Sequence, residues 1–223
     1  MGDRISQRSS VLAAVEAAIA QLDATNTARE AALATSRLLI RQCANAIRAI
    51  HRHEWPEAEQ LLATAADTAT DLHRRLEPHP ALFHAGYSQD ALKEYAEAHL
   101  TLALVRGDVL PSASELQVEP AAYLNGLAEA ASELRRYLLD GLRKGDLAGS
   151  EHLLNAMDEV YSLLVTVDYP DAVTGGLRRT TDALRAVLER TRGDLTTTLR
   201  QDQLIEALKH VERRLPPLPD EEL

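Results

Sequence analysis

The sequence predicts an all-α fold, a single-domain bundle of about seven helices. Three observations carry this expectation. Ala and Leu, both strong helix formers, dominate the 223 residues, against one Phe and one Trp. Apolar residues recur at three- and four-residue spacing along most of the chain, and no strand-like alternation interrupts them. No Gly/Ser-rich linker divides the chain. Residues 1–215 therefore read as one helical domain, followed by an acidic Pro-rich tail at 216–223 that is expected to fray.

The periodicity places helices near residues 4–23, 27–53, 56–77, 89–106, 120–144, 147–166 and 176–214. Pro56 suits the first turn of the third, just after a reversal around Glu54-Trp55. Pro78 and Pro80 mark the next connection. Gly107 and Pro111 mark the one after, with a short helical turn expected at Ser112–Gln117. Gly145-Asp146 and the segment from Asp168 to Asp171 punctuate the later helices, and Gly175-Gly176 opens the last.

Composition limits the function classes. A net charge of −10 argues against general stickiness to nucleic acid, because non-specific affinity comes from neutralising phosphates. A local basic surface must be sought by position. The lone Cys43 can form neither an internal disulfide nor a thiolate metal site, and it is compatible with a reducing compartment. No apolar run reaches the length of a membrane span, so no membrane partner is expected. The polar start lacks a signal-peptide core, and the location expected is cytoplasmic. Gly2 and Ser6 match a loose myristoylation pattern at a level chance explains. No HExxH, GxSxG, P-loop or GxGxxG motif occurs.

Three polar stripes stand out. Arg37, Arg41, Arg48 and Arg52 fall in a wedge of about 60° on an ideal helix, while Leu39, Ile40, Cys43, Ile47 and Ile50 occupy another face. Four guanidinium groups with no interleaved Glu suit phosphate or an acidic partner, though a solvated face or a subunit interface would also carry them. Asp90, Glu94 and Glu97, four and three residues apart, form an acidic stripe. Like charges at that spacing repel, and a hard divalent cation would offset the cost; a solvated face is the plainer explanation. The third stripe, Glu129, Glu133, Arg136 and Asp140 with Arg135 beside it, mixes signs as ordinary exposed helices do. Glu151, Asn155 and Asp158 share a face that could complete an acidic cluster if its helix met the Glu94 helix.

At this point the residues resemble the translin family, the group of translin and translin-associated factor X. The resemblance runs from about residue 29 to 210. Ser36-Arg37 through Ile47-Arg48-Ala49-Ile50-His51 is similar to the family's second-helix pattern. Glu94-Tyr95-Ala96-Glu97-Ala98 resembles the factor X signature EYVEA. Tyr123-Leu124-Asn125-Gly126-Leu127, followed by Ala131-Ser132-Glu133-Leu134-Arg135-Arg136, resembles YLxG…SELxR. Gly145-Asp146, Val160-Tyr161, Leu177-Arg178-Arg179 and Glu189-Arg190-Thr191-Arg192 extend it.

The resemblance implies a seven-helix subunit in closed hollow oligomers, typically octamers, that bind single-stranded RNA or DNA. In the factor X branch it implies a magnesium-dependent endoribonuclease, working beside a second translin-family subunit. Glu94 and Glu97 match that branch's EYxE glutamates and are the implied Mg²⁺ ligands, with Mn²⁺ a possible substitute. The branch's other two acids fall on Ala148 and His152, neither acidic, where translin too has a small residue and a His. Glu151 stands next to the second position as a third catalytic candidate, and Glu133 could contribute.

Three functions follow as expectations. The first is an oligomer binding single-stranded RNA or DNA through Arg37, Arg41, Arg48 and Arg52, helped by Arg135 and Arg136. The second is a Mg²⁺-dependent endoribonuclease using Glu94, Glu97 and Glu151. The third is a non-catalytic homo-oligomeric scaffold.

Overall fold

A computed structural model describes residues 2–214, with side chains from residue 8 onward. The tail at 216–223 lies outside the described residues. The architecture is all-α, with no strand among the described residues. The helices are α1 (Gly2–His51), α2 (Trp55–Leu76), α3 (Pro80–Phe83), α4 (Gly86–Arg106), α5 (Pro120–Arg143), α6 (Leu147–Leu164), α7 (Asp171–Thr174) and α8 (Leu177–Glu212).

The first two predicted helices are one. The Thr25 and Thr27 hydroxyls donate to the carbonyls of Gln21 and Asp23, four residues back, so polar residues that could have broken the helix bond within it. The helix ends in a tight reversal. Glu54 N–H donates to the Ala49 carbonyl, and His53 takes a left-handed φ of 60°. That conformation is costly for a non-Gly residue, and Tyr137 of α5 holds it, its hydroxyl 2.9 Å from His53 Nδ1. Trp55 packs beside them under the Arg106 guanidinium.

Pro56, Pro80 and Pro120 sit in first turns, where a missing N–H costs nothing. Asp146 caps α6 by accepting from Gly149 N–H at 2.9 Å. Gly107 ends α4 in the left-handed conformation, φ 70°, while Asp108 N–H returns to the Ala103 carbonyl. The expected turn at 112–117 forms, with Leu116 N–H donating to the Ser112 carbonyl, but it does not become a helix.

α4 is the central element. It packs on α1 and α2 on one side and on α5 on the other, and ten of its residues are buried. The 107–119 segment then runs back along the bundle. Its Leu116 and Val118 bury against the α1, α2 and α4 core, and Tyr123 donates to the Pro111 carbonyl. This return lets α5 run parallel to α4. α6 folds back along α5, and α8 closes the other face through Leu184, Leu188 and Leu195. Buried Asn125 ties three elements together. Its amide donates to the Ala121 and Thr174 carbonyls at 2.8 Å, and its oxygen accepts from Thr180 Oγ1 at 2.6 Å. Asn125→Leu leaves those α7 and α8 groups without their partner. It is expected to cost about 2–4 kcal/mol, read as a lower denaturation midpoint with unchanged slope.

Candidate functional site

The site begins at Gly126. A Cβ there would stand 2.8 Å from the Lys93 carbonyl, 3.0 Å from Glu97 N and 3.1 Å from Ala96 Cβ. Only glycine lets α5 cross α4 at that spot, backbone against backbone. Glu129, one turn further along α5, is thereby set beside Glu94 and Glu97. One carboxylate oxygen from each of Glu94, Glu97 and Glu129 lies within 4.8 Å of the others.

The three carboxylates differ in their surroundings. Glu94 and Glu129 are half-buried, and Lys93 Nζ bridges them, 3.3 Å from Glu94 Oε1 and 2.5 Å from Glu129 Oε2. Burial pushes the Lys93 ammonium down, but its bonds to Glu129 and Glu94 and their charges outweigh this, so its pKa stands above the ordinary value. Glu97 is only 8% exposed, and no hydrogen bond among the described residues steadies its charge. Burial, then the charges of Glu94, Glu129 and Glu133, push its carboxyl up to about 8, with Lys93 a partial offset. Cys43 of α1 lies close by. Its buried thiol is pushed up to about 12, by burial first and then by Glu94 and Glu97. Glu133 is held on the far side by His51, whose buried Nε2 donates to its Oε2 at 2.6 Å.

Glu94 and Glu97, expected together, are therefore together. The acid that joins them is Glu129, which the mixed-sign stripe had placed on an ordinary exposed face. Gly126 was the missed signal: a glycine inside a helix costs about 1 kcal/mol against alanine, and close approach of another backbone is the reason to keep one.

Glu151 does not join the cluster. It is exposed on α6 beside His152, whose Nε2 would lie 3.8 Å from a Cβ on Gly107. Gly107 is ten residues beyond Glu97, about 15 Å along the helix axis. His152 therefore lies at the other end of α4 from the cluster, and Ala148 is exposed in the first turn of α6. Asp90 is exposed and lines an open cleft of about 610 Å³ with Lys93, Glu129, His84 and Arg179.

The arginine wedge is exposed along α1. Arg48 donates to the Asn45 side-chain oxygen, and Arg52 pairs with Glu54 and Glu57. Arg37 and Arg41 have no ion pair among the described residues. On an ideal helix His51 lies about 40° from Arg37, so the wedge borders the side of α1 that turns to Glu133. Arg136 is exposed, whereas Arg135 is engaged across the α5–α8 contact with Asp194 at 2.8 Å and Thr191 at 3.1 Å.

No helix among the described residues is long and apolar enough to cross a membrane. No family model matches the chain. An uncharacterized protein of Methanocaldococcus jannaschii is 33% identical over 190 residues, covering 84% of this chain and 83% of its own. Among solved structures, AfC3PO superposes with a TM-score of 0.77 at 31% identity, covering 84% of this chain and 97% of that one. AfC3PO in a complex with duplex RNA gives 0.73 with the same identity and coverage. Apo-NeC3PO, 18% identical over 78% of this chain and 90% of its own, gives 0.71 and shares the fold. With an EYxE helix crossed by a YLxG helix and nearly a third of its residues identical across AfC3PO, the chain belongs to the translin family.

Proposed function

We propose that this protein binds RNA and, with a divalent cation held by Glu94, Glu97 and Glu129, hydrolyses its phosphodiester bonds. The observation that carries the reading is Glu97, a buried carboxylate with no hydrogen-bond partner among the described residues, set beside two other carboxylates. Leaving such a group unpaired is costly, and a hard cation held by the three acids would remove the cost. Mg²⁺ fits, because it keeps several waters and needs few protein oxygens, and Mn²⁺ would substitute. When bound, the ion supplies Lewis-acid stabilisation of a phosphoryl oxygen and a water of lowered pKa.

The chain's own groups do the rest. His51 fixes Glu133 behind the cluster, and Lys93 holds Glu94 and Glu129 in place. The adjoining cleft, with Arg179 and His84 on its wall, has the size of a small-ligand site and would seat a nucleotide. Arg37, Arg41 and Arg48, exposed along α1, would carry phosphates. The complex of AfC3PO with duplex RNA supports RNA as the ligand. Self-association is supported by the end of α8, where Leu204, Ile205, Leu208 and Val211 are about half exposed or more. Several weak phosphate sites in one assembly would then offset the acidic net charge by avidity.

Labelled single-stranded RNA should be cut with Mg²⁺ and spared in EDTA. The Glu94→Ala/Glu97→Ala double variant should cut at least about 100-fold more slowly while still binding. Equal cutting by that variant would mean a contaminating nuclease and would sink the hydrolytic reading. RNA binding without hydrolysis is the second reading, favoured by Lys93, which already neutralises part of the cluster, and by the absence of acids at 148 and 152. It predicts RNA retention with no cutting under any cation. Arg37→Glu/Arg41→Glu is expected to weaken RNA about tenfold or more, with a shallower salt dependence and unchanged assembly mass. Loss of assembly instead would assign the wedge to a subunit interface.

A further inference from the structure

We infer that residues 8–27 of α1 form an arm that pairs antiparallel with the same segment of a second copy of this chain. The inference does not rest on the RNA reading. α1 has 50 residues, yet its first buried side chain among those described is Ala32. From residue 8 to 27 every residue is exposed, so about 30 Å of helix stands clear of the bundle. A helix of that length is marginal in water unless one face is packed.

One face is built to be packed. Leu12, Val15, Ile19 and Leu22 follow each other at three, four and three residues, the spacing of a coiled-coil seam, with Val11 alongside. Each is between 50% and 68% exposed. Nothing among the described residues covers this stripe, and it lies before residue 29, where the resemblance to the translin family begins. AfC3PO matches 97% of its own length with only 84% of this chain. Part of this chain therefore has no counterpart in AfC3PO.

A second copy fits by symmetry. A twofold axis between Val15 and Ile19 sets Leu12 against Leu22 of the other arm and Val15 against Ile19, so the seam is complementary to itself. The same register brings Arg8 within a turn of Asp23 of the second copy. Parallel pairing would instead put Asp23 level with Asp23 and Arg8 level with Arg8, whereas Glu16 lies near Glu16 in either arrangement. The five apolar side chains offer roughly 500 Å² on each copy, about 1,000 Å² for the pair. Adding Ala18 and the flanking polar chains brings it to the size of a specific interface.

The test uses the full chain, whose own cysteine, Cys43, is buried. Mixed Leu12→Cys and Leu22→Cys chains should form a disulfide-linked dimer under mild oxidation, whereas Leu12→Cys alone should not. Val15→Lys/Ile19→Lys, both at exposed positions, should lower the mass of the assembly by a factor of two and reduce helical circular dichroism by the arm's share. Three results would overturn the inference. Leu12→Cys could couple to itself more readily than to Leu22→Cys. Leu12→Cys could couple instead to Leu208→Cys on α8. The lysine variant could keep the parent mass.

Discussion

Glu97→Gln is expected to make the chain more stable without metal while ending its response to metal. In the unfolded chain Glu97 loses its proton near 4.5; in the folded chain it keeps the proton to about 8. Between those values the folded state binds more protons, so stability falls as pH rises from about 4.5 to about 8 and then levels. The penalty is fully developed above pH 8 and absent below 4.5. Each pKa unit is about 1.4 kcal/mol, so glutamine, which cannot ionise, should recover roughly 3–5 kcal/mol at pH 8 and above in a chelating buffer. Mg²⁺ should raise the melting temperature of the parent most at the alkaline end, where its ligand is ionised, and leave the variant unmoved. Melting curves at pH 5, 7 and 9, with Mg²⁺ and with EDTA, check both halves. A variant that still gains from Mg²⁺ would remove Glu97 from the ligand set. A pH-independent parent would remove the burial argument itself.

Gly126→Ala carries the second large effect. In most helices the change would add about 1 kcal/mol of stability. Here the new methyl meets backbone atoms of Lys93 and Glu97, which have no alternative rotamer to adopt. α5 must move outward, and overpacking of this kind costs about 1–3 kcal/mol. The movement also carries Glu129 away from its partners on α4, so the Mg²⁺-dependent rise in melting temperature should shrink even where the protein remains folded. Gly193, exposed on α8 with open space where its Cβ would stand, is the control. Gly193→Ala should be neutral or stabilising, with the metal response intact.

These expectations show where sequence reading succeeds and where it stops. The helices that bury one face were legible from spacing: α2, α5 and α6 lie within a few residues of their predicted bounds. The break expected at 24–26 is absent, because threonine hydroxyls find acceptors inside a helix as readily as at its end. The one-turn helices α3 and α7 were too short to show a period. Glu94 and Glu97 were legible as a pair because they share a helix. Their depth was not, because polarity suggests an outward face, and α4 has almost none: α1 covers one side and α5 the other. Glu129 could be placed only with the crossing at Gly126 known. A single small residue sets that crossing, and it leaves no periodic trace.

The return of residues 107–119 along the bundle divides the chain at the site. α1 to α4 bring Glu94, Glu97 and Lys93 with the core around Leu39, Leu72 and Leu92; α5 to α8 bring Glu129 and Glu133 with the core around Leu134, Leu184 and Leu188. The carboxylate cluster is a seam between two halves, each with apolar packing of its own. A nick at Val109, the most exposed of the large apolar side chains in that return, would leave both halves whole and joined only by their contact. The Lys93–Glu129 pair ties that contact, the charges of Glu97 and Glu129 loosen it, and a cation would tighten it. An ion held by the three carboxylates, as proposed above, would then also work as a clasp between the two nicked pieces, and their re-association with and without Mg²⁺ would measure its grip.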